Sequence, residues 1–253
     1  MNNLRKIGVS ALAGSLATFS VNAADVSVSG GASITFDDNN RGSGSRGNGF
    51  YMGDSLGFNM SGETENGLGV AVYYEIDGGA LDDYNLKLTG DFGTLTFDGH
   101  GGSSALGAID DKTPNAYEEP WAVLDTNGAT AGGTPTVING AGGNNMFIYT
   151  SPTVGGATFK MAYQNDGGAA AVEESYTDFA IAFAPEMVEG LTVGYATTDQ
   201  ETAINKSVMK QTAYAKYAVG GFTIGYKVSE SDHDTASSSL DSTAYGVTYA
   251  LKD

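Results

Sequence analysis

The 253 residues carry a net charge of −18, with 41% hydrophobic and 17% charged side chains, 37 Gly, 14 Tyr and no Cys. Low charge with abundant Gly, Tyr, Ser and Thr excludes a long helical bundle and describes an all-β chain with many turns. The acidic balance excludes a nucleic-acid partner, because phosphate binding needs basic surface.

The N-terminal segment reads as an export signal. Arg5 and Lys6 form a positive start, Ile7 to Val21 an apolar stretch, and Val21-Asn22-Ala23 a small-residue cleavage site. Residues 1–23 are therefore expected to be a signal peptide and 24–253 the mature chain. Losing the two basic residues takes the charge from −18 to −20. An exported chain without Cys must be stabilised by its size or by a bilayer. Beyond the leader no stretch approaches the roughly 18 apolar residues of a spanning helix. A membrane would have to be crossed by a closed barrel.

From Ala24 onward apolar and polar residues alternate with the strand period of two. Val26, Val28, Ala32, Ile34 and Phe36 share one face, and Ser27, Ser29, Ser33 and Thr35 the other. The pattern returns at Leu56, Phe58 and Met60, at Leu68 to Ile76, at Leu86 and Leu88, and at Leu95 and Phe97. It continues through Met146 to Ser151, Phe159 to Tyr163, Phe179 to Phe183 and Leu191 to Tyr195. Val208 to Val219, Phe222 to Val228 and Tyr245 to Leu251 complete twelve expected strands.

The connections separate a barrel from a soluble sandwich, which also alternates. Long polar ones are expected at about 37–50, 77–83, 98–145, 164–175, 198–207 and 229–241, with short turns between them. One loop end, one turn end and Tyr recurring near strand ends describe a transmembrane antiparallel β-barrel. Its backbone groups must all be paired within the bilayer.

The connection from about 98 to 145 is too long for an ordinary loop. It is expected to fold into the lumen and set the aperture. It carries Asp98, Asp110, Asp111, Glu118, Glu119 and Asp125 against Lys112, with Trp121 available to pin it to the wall. Lys87, Lys160, Lys210, Lys216 and Lys227 fall at polar-face positions of the strands. A basic wall facing an acidic loop would set a transverse field across the aperture.

The Asp25-Val26-Ser27-Val28 opening strand, Gly93-Thr94-Leu95-Thr96-Phe97 before the long loop and Tyr149-Thr150-Ser151-Pro152-Thr153-Val154-Gly155-Gly156 after it resemble the general porins of Gram-negative bacteria. The resemblance runs the length of the chain. It implies an outer-membrane barrel of about 16 strands, a homotrimer whose third loop narrows each pore, and passive diffusion of ions and small hydrophilic solutes. Two positions depart from it. Ile148 stands where the family is often basic, and the chain ends Leu251-Lys252-Asp253 instead of on an aromatic closing strand. The expectation is a chain short of roughly four strands of such a barrel, the alternative a closed 12-stranded one.

Other chemistry is sparse. His100 and His233 read as isolated in loops, so no metal or catalytic site is expected and no enzyme activity or cofactor. Asp37-Asp38-Asn39-Asn40-Arg41-Gly42 resembles the start of a calcium loop but has Asn48 where the closing Glu belongs. Only nonspecific Ca²⁺ at the acidic loops is expected. Two other classes fit the same pattern, an outer-membrane adhesin or receptor barrel and an exported soluble β protein binding calcium or sugar.

Overall fold

The computed structural model describes residues 22–36, 50–114, 138–165, 175–202, 206–233 and 239–251. In chain order the strands are β1 (Asn22–Phe36), β2 (Phe50–Glu63), β3 (Gly69–Asp77), β4 (Ala80–Gly90), β5 (Gly93–His100), β6 (Gly102–Ser103) and β7 (Gly142–Gly143). They continue with β8 (Met146–Thr150), β9 (Ala157–Gln164), β10 (Tyr176–Phe183), β11 (Leu191–Thr202), β12 (Lys206–Val219), β13 (Phe222–His233) and β14 (Leu240–Tyr249). Twelve of them form one antiparallel sheet in which each strand pairs with its neighbour in sequence, β6 and β7 standing apart as a two-stranded stem in the long loop. The ladder between β1 and β2 is regular from Asp25 opposite Ser61, with a shift between Asn22 and Asp25.

The period-two pattern is inverted with respect to water. The apolar set points outward: Val26, Ile34, Phe179, Ile181, Phe222, Ile224, Tyr245 and Val247 are all exposed, Ile34 at 79%. Buried positions on the opposite face include Thr96, Asp98, Asp178, Thr198, Thr212, Lys227 and Ser229. A soluble sandwich would bury the first set and wet the second, so that alternative fails on the direction of the side chains. An apolar outer face over a polar interior is the arrangement a bilayer selects, because lipid accepts the one and rejects the other.

Two sequence expectations change. The predicted long connection at 77–83 is a tight hairpin: β3 runs to Asp77, β4 starts at Ala80, and Gly78 and Gly79 turn the chain with φ of 56° and 81°. Two successive positive φ values are what a two-residue hairpin turn asks for, and glycine supplies them without strain. The connection expected at 198–207 is short as well, β11 running to Thr202 and β12 starting at Lys206, so the alternation of long and short connections breaks at both places. Among the described residues β1 pairs with β2 and β14 with β13, and no ladder joins β14 to β1.

Reversing the polarity of one outward position tests the assignment. Ile181, 47% exposed between Phe179 and Phe183, changed to Arg should lower unfolding stability in lipid by about 2–4 kcal/mol, the cost of a cation near the bilayer midplane. Urea titration in liposomes reads it, and a change within about 0.5 kcal/mol would place Ile181 away from lipid.

Candidate pore constriction

After β5 the chain leaves the wall and returns to it on the β6–β7 stem, Gly102 opposite Gly143 and Ser103 opposite Gly142. Beyond the stem one tight turn forms, with Ala108 N–H donating to Ser104 O at 3.0 Å and Ile109 N–H to Leu106 O at 2.9 Å. Ala105, Leu106 and Ile109 of this turn pack on Ala180, Ala196 and Tyr214 of β10, β11 and β12. Ala180 and Ala196 are direct cross-strand partners, and their small side chains leave the wall low where the turn sits. The loop thus lies on the polar face of the sheet, the side turned away from lipid.

The anchor is Asp178. This carboxylate is fully buried and accepts Ala105 N–H at 3.1 Å on one oxygen and Leu106 N–H at 2.7 Å on the other. The Tyr176 hydroxyl donates to it at 2.9 Å. Tyr176 in turn receives Ala141 N–H at 3.3 Å and lies 3.3 Å from the Ser104 hydroxyl. Ser104 Oγ accepts Gly107 N–H at 3.2 Å and Ala141 N–H at 3.1 Å. Both limbs of the loop are therefore held on β10 by one network. A buried carboxylate is tolerated because peptide donors and a hydroxyl replace its water.

Further along, the loop spans the sheet. Lys227 of β13 donates its ammonium to Asp110 O, and Lys210 of β12 donates to Asn139 O at 3.1 Å. Gly140 N–H donates to the Asp110 carboxylate at 3.3 Å. Pro114 rests over Gly225 of β13 and Gly246 of β14, which are paired with one another. A Cβ at either glycine would collide with Pro114, so the two glycines cut the seat on which the crossing segment lies. Burial holds the Asp110 carboxyl above the ordinary carboxylate range, against the lowering effect of the Gly140 N–H, Lys227 and Lys112.

Of the expected acidic residues, Asp98 sits buried on the inner face of β5, Asp110 lies at the contact with β13 and Asp111 is exposed. Glu118, Glu119 and Asp125, like Trp121, lie outside the described residues, as does the Asp37 to Asn48 segment. All five wall lysines fall on the inner face by register, Lys87 on β4, Lys160 on β9, Lys210 and Lys216 on β12 and Lys227 on β13. Two of them, Lys210 and Lys227, hold loop carbonyls. Ile148 also faces inward, buried with Met146, Ala162 and Tyr176 beneath the loop. The sequence reading missed the anchor. Asp178 opposite Phe179, Ile181 and Phe183 showed only as a polar-face residue, and nothing local marks the loop segment that will reach it. His100 is not isolated either: it ends β5 with Nδ1 3.4 Å from Asp82 and 3.3 Å from Asp83. His233 is the last residue of β13.

An outward apolar sheet with a loop bound across its polar face is the architecture of an outer-membrane β-barrel channel. The chain belongs to the Gram-negative porin family, whose model matches residues 8–253. Among solved structures it is similar to a loop-deleted OmpT, an outer membrane protein of Vibrio cholerae, with TM-score 0.60, 14% identity, 92% of this chain and 78% of that one covered. It is also similar to an anion-selective porin from Comamonas acidovorans, with TM-score 0.55, 16% identity, and 88% and 73% covered. At such identities the likeness is one of fold. No curated protein matches the sequence. The protein is an outer-membrane porin.

The anchoring network predicts a measurable change in the pore. Asp178→Ala leaves two peptide N–H groups and a tyrosine hydroxyl without their acceptor, at about 1–3 kcal/mol for each buried donor. Single-channel recordings should show larger, noisier currents, and Asp178→Asn, which keeps one acceptor oxygen, should fall between. Unchanged conductance in Asp178→Ala would remove Asp178 as the anchor.

Proposed function

We propose that the porin is a passive, weakly cation-preferring channel for ions and small hydrophilic solutes, exported by cleavage after Ala23 and assembled as a homotrimer. Export is supported by the basic and apolar residues before Ala23, and the trimer by the family. The observation that carries the ion preference is the place of Asp110 and Asp111, on a segment held against the polar face by Lys227 and Pro114. Charge at the narrowest point counts most, because low-dielectric walls focus its field while salt screens distant charge within about 8–10 Å. Lys210 and Lys227 have their ammonium groups committed to loop carbonyls, which leaves Asp111 facing less free positive charge. Solutes pass by diffusion through water, and no bond is made or broken.

Reversal potential in a KCl gradient tests the reading. The unaltered channel should prefer K⁺, and converting Asp110, Asp111, Glu118 and Glu119 to their amides should reduce that preference. Anion preference in the unaltered channel, or no shift on neutralisation, would place the acids outside the conduction path.

The raised carboxyl of Asp110 adds a pH signature. A carboxyl above its usual range takes up its proton first as pH falls, so some K⁺ preference should fade at a pH above the carboxylate norm of about 3.9. Asp110→Asn should remove that early phase. A single titration step, identical in the variant, would contradict it.

A further inference from the structure

We propose that Asp82, Asp83 and His100 form a binding site for a divalent cation of the zinc class at the loop end of β4 and β5. One ligand atom from each lies within 4.8 Å of the other two. The imidazole Nδ1 is 3.4 Å from Asp82 Oδ1 and 3.3 Å from Asp83 Oδ1. Tetrahedral zinc, with bonds of about 2.0–2.1 Å to nitrogen and carboxylate oxygen, spaces its ligands about 3.3–3.4 Å apart. The imidazole distinguishes the cluster from a patch of solvated acids and sets the metal class, since nitrogen suits zinc, copper and nickel whereas calcium and magnesium take oxygen.

Sequence distance hides the site, and two bulges build it. Asp82 and Asp83 are neighbours in one strand and would ordinarily point to opposite faces. Between the pairs Tyr74–Tyr84 and Ile76–Leu81, however, both stand opposite Glu75 alone. On the other edge of β4, Tyr84 pairs with His100 and Asn85 with Asp98, leaving Gly99 as the extra residue of β5. An extra residue rotates the strand locally and re-aims side chains, and here bulges on both edges of one strand bring three donors together. Gly101, at φ 79°, leaves its Cβ position to the Asp83 carboxylate, so the backbone past β5 is shaped around that group. The three side chains are about half-exposed, at 49% for His100 and 43% and 36% for Asp82 and Asp83. An ion can reach them, and a water can complete its shell. His100 stands two residues before the β6 stem, so a bound ion would tie β4 to the point where the constriction loop leaves the wall.

The test uses the full chain refolded in detergent, with folding checked by heat-dependent gel mobility. Calorimetric titration with Zn²⁺ in excess Ca²⁺ should give one saturable site per chain. Disturbing even an outer-shell partner costs a metal site about 10–100-fold in affinity, so His100→Asn and Asp83→Asn should each weaken binding by at least that order, and His233→Asn should not. In the unaltered chain Zn²⁺ should slow diethyl pyrocarbonate modification of His100 and leave His233 unaffected, a readout that needs no variant to fold. Equal binding in folded His100→Asn, competition by Ca²⁺ on equal terms, or no protection of His100 would overturn the site.

Discussion

Lipid offers no hydrogen bonds, so every peptide group within the bilayer must find its partner on another strand. That constraint selects the sheet, and the sheet imposes the period of two on its side chains. Once the outer face is given to lipid, the polar residues that alternate with it go to the inner one. The polar face is therefore crowded with groups that must be satisfied, among them Asp178, Thr198, Thr212 and Lys227. Those beneath the loop need protein partners, and the loop supplies them.

This is why the loop can be held firmly without a large apolar core. The cluster under it is small: alanines of the wall, Leu106, Ile109 and the ring of Tyr214. What fixes its position is directional. Asp178 takes two consecutive peptide donors, Tyr176 and Ser104 join the outgoing limb to the returning Ala141, and Lys210 and Lys227 donate to carbonyls farther on. Bonds that involve a charged partner are about twice as strong as neutral ones, and in a site shielded from water they are not exchanged for solvent.

At the loop end the sheet departs from its own regularity. β4 carries an irregularity toward β3 and another toward β5 within a few residues. The outward Tyr74 and Tyr84 rings remain stacked, with centroids 6.0 Å apart, while Asp82, Asp83 and His100 converge beside them. A local loss of ladder regularity thus concentrates donor chemistry where the chain turns from wall to loop.

The sequence by itself determined the fold class, the strands and the face each presents, because alternation between apolar and polar residues is a local property that any bilayer reads the same way. Val26 to Ile34 and Phe179 to Phe183 were legible as lipid-facing from spacing alone, and so were the inward lysines. It misread the 77–83 connection, where two glycines form a tight turn inside what looked like a polar loop. It also left His100 isolated, since a one-residue bulge changes which neighbours a side chain meets without altering composition. The anchor of the loop was hidden for a further reason. Asp178 and its donors at Ala105 and Leu106 are more than seventy residues apart, and only the packing of the loop onto the sheet decides which peptide groups a buried carboxylate will hold.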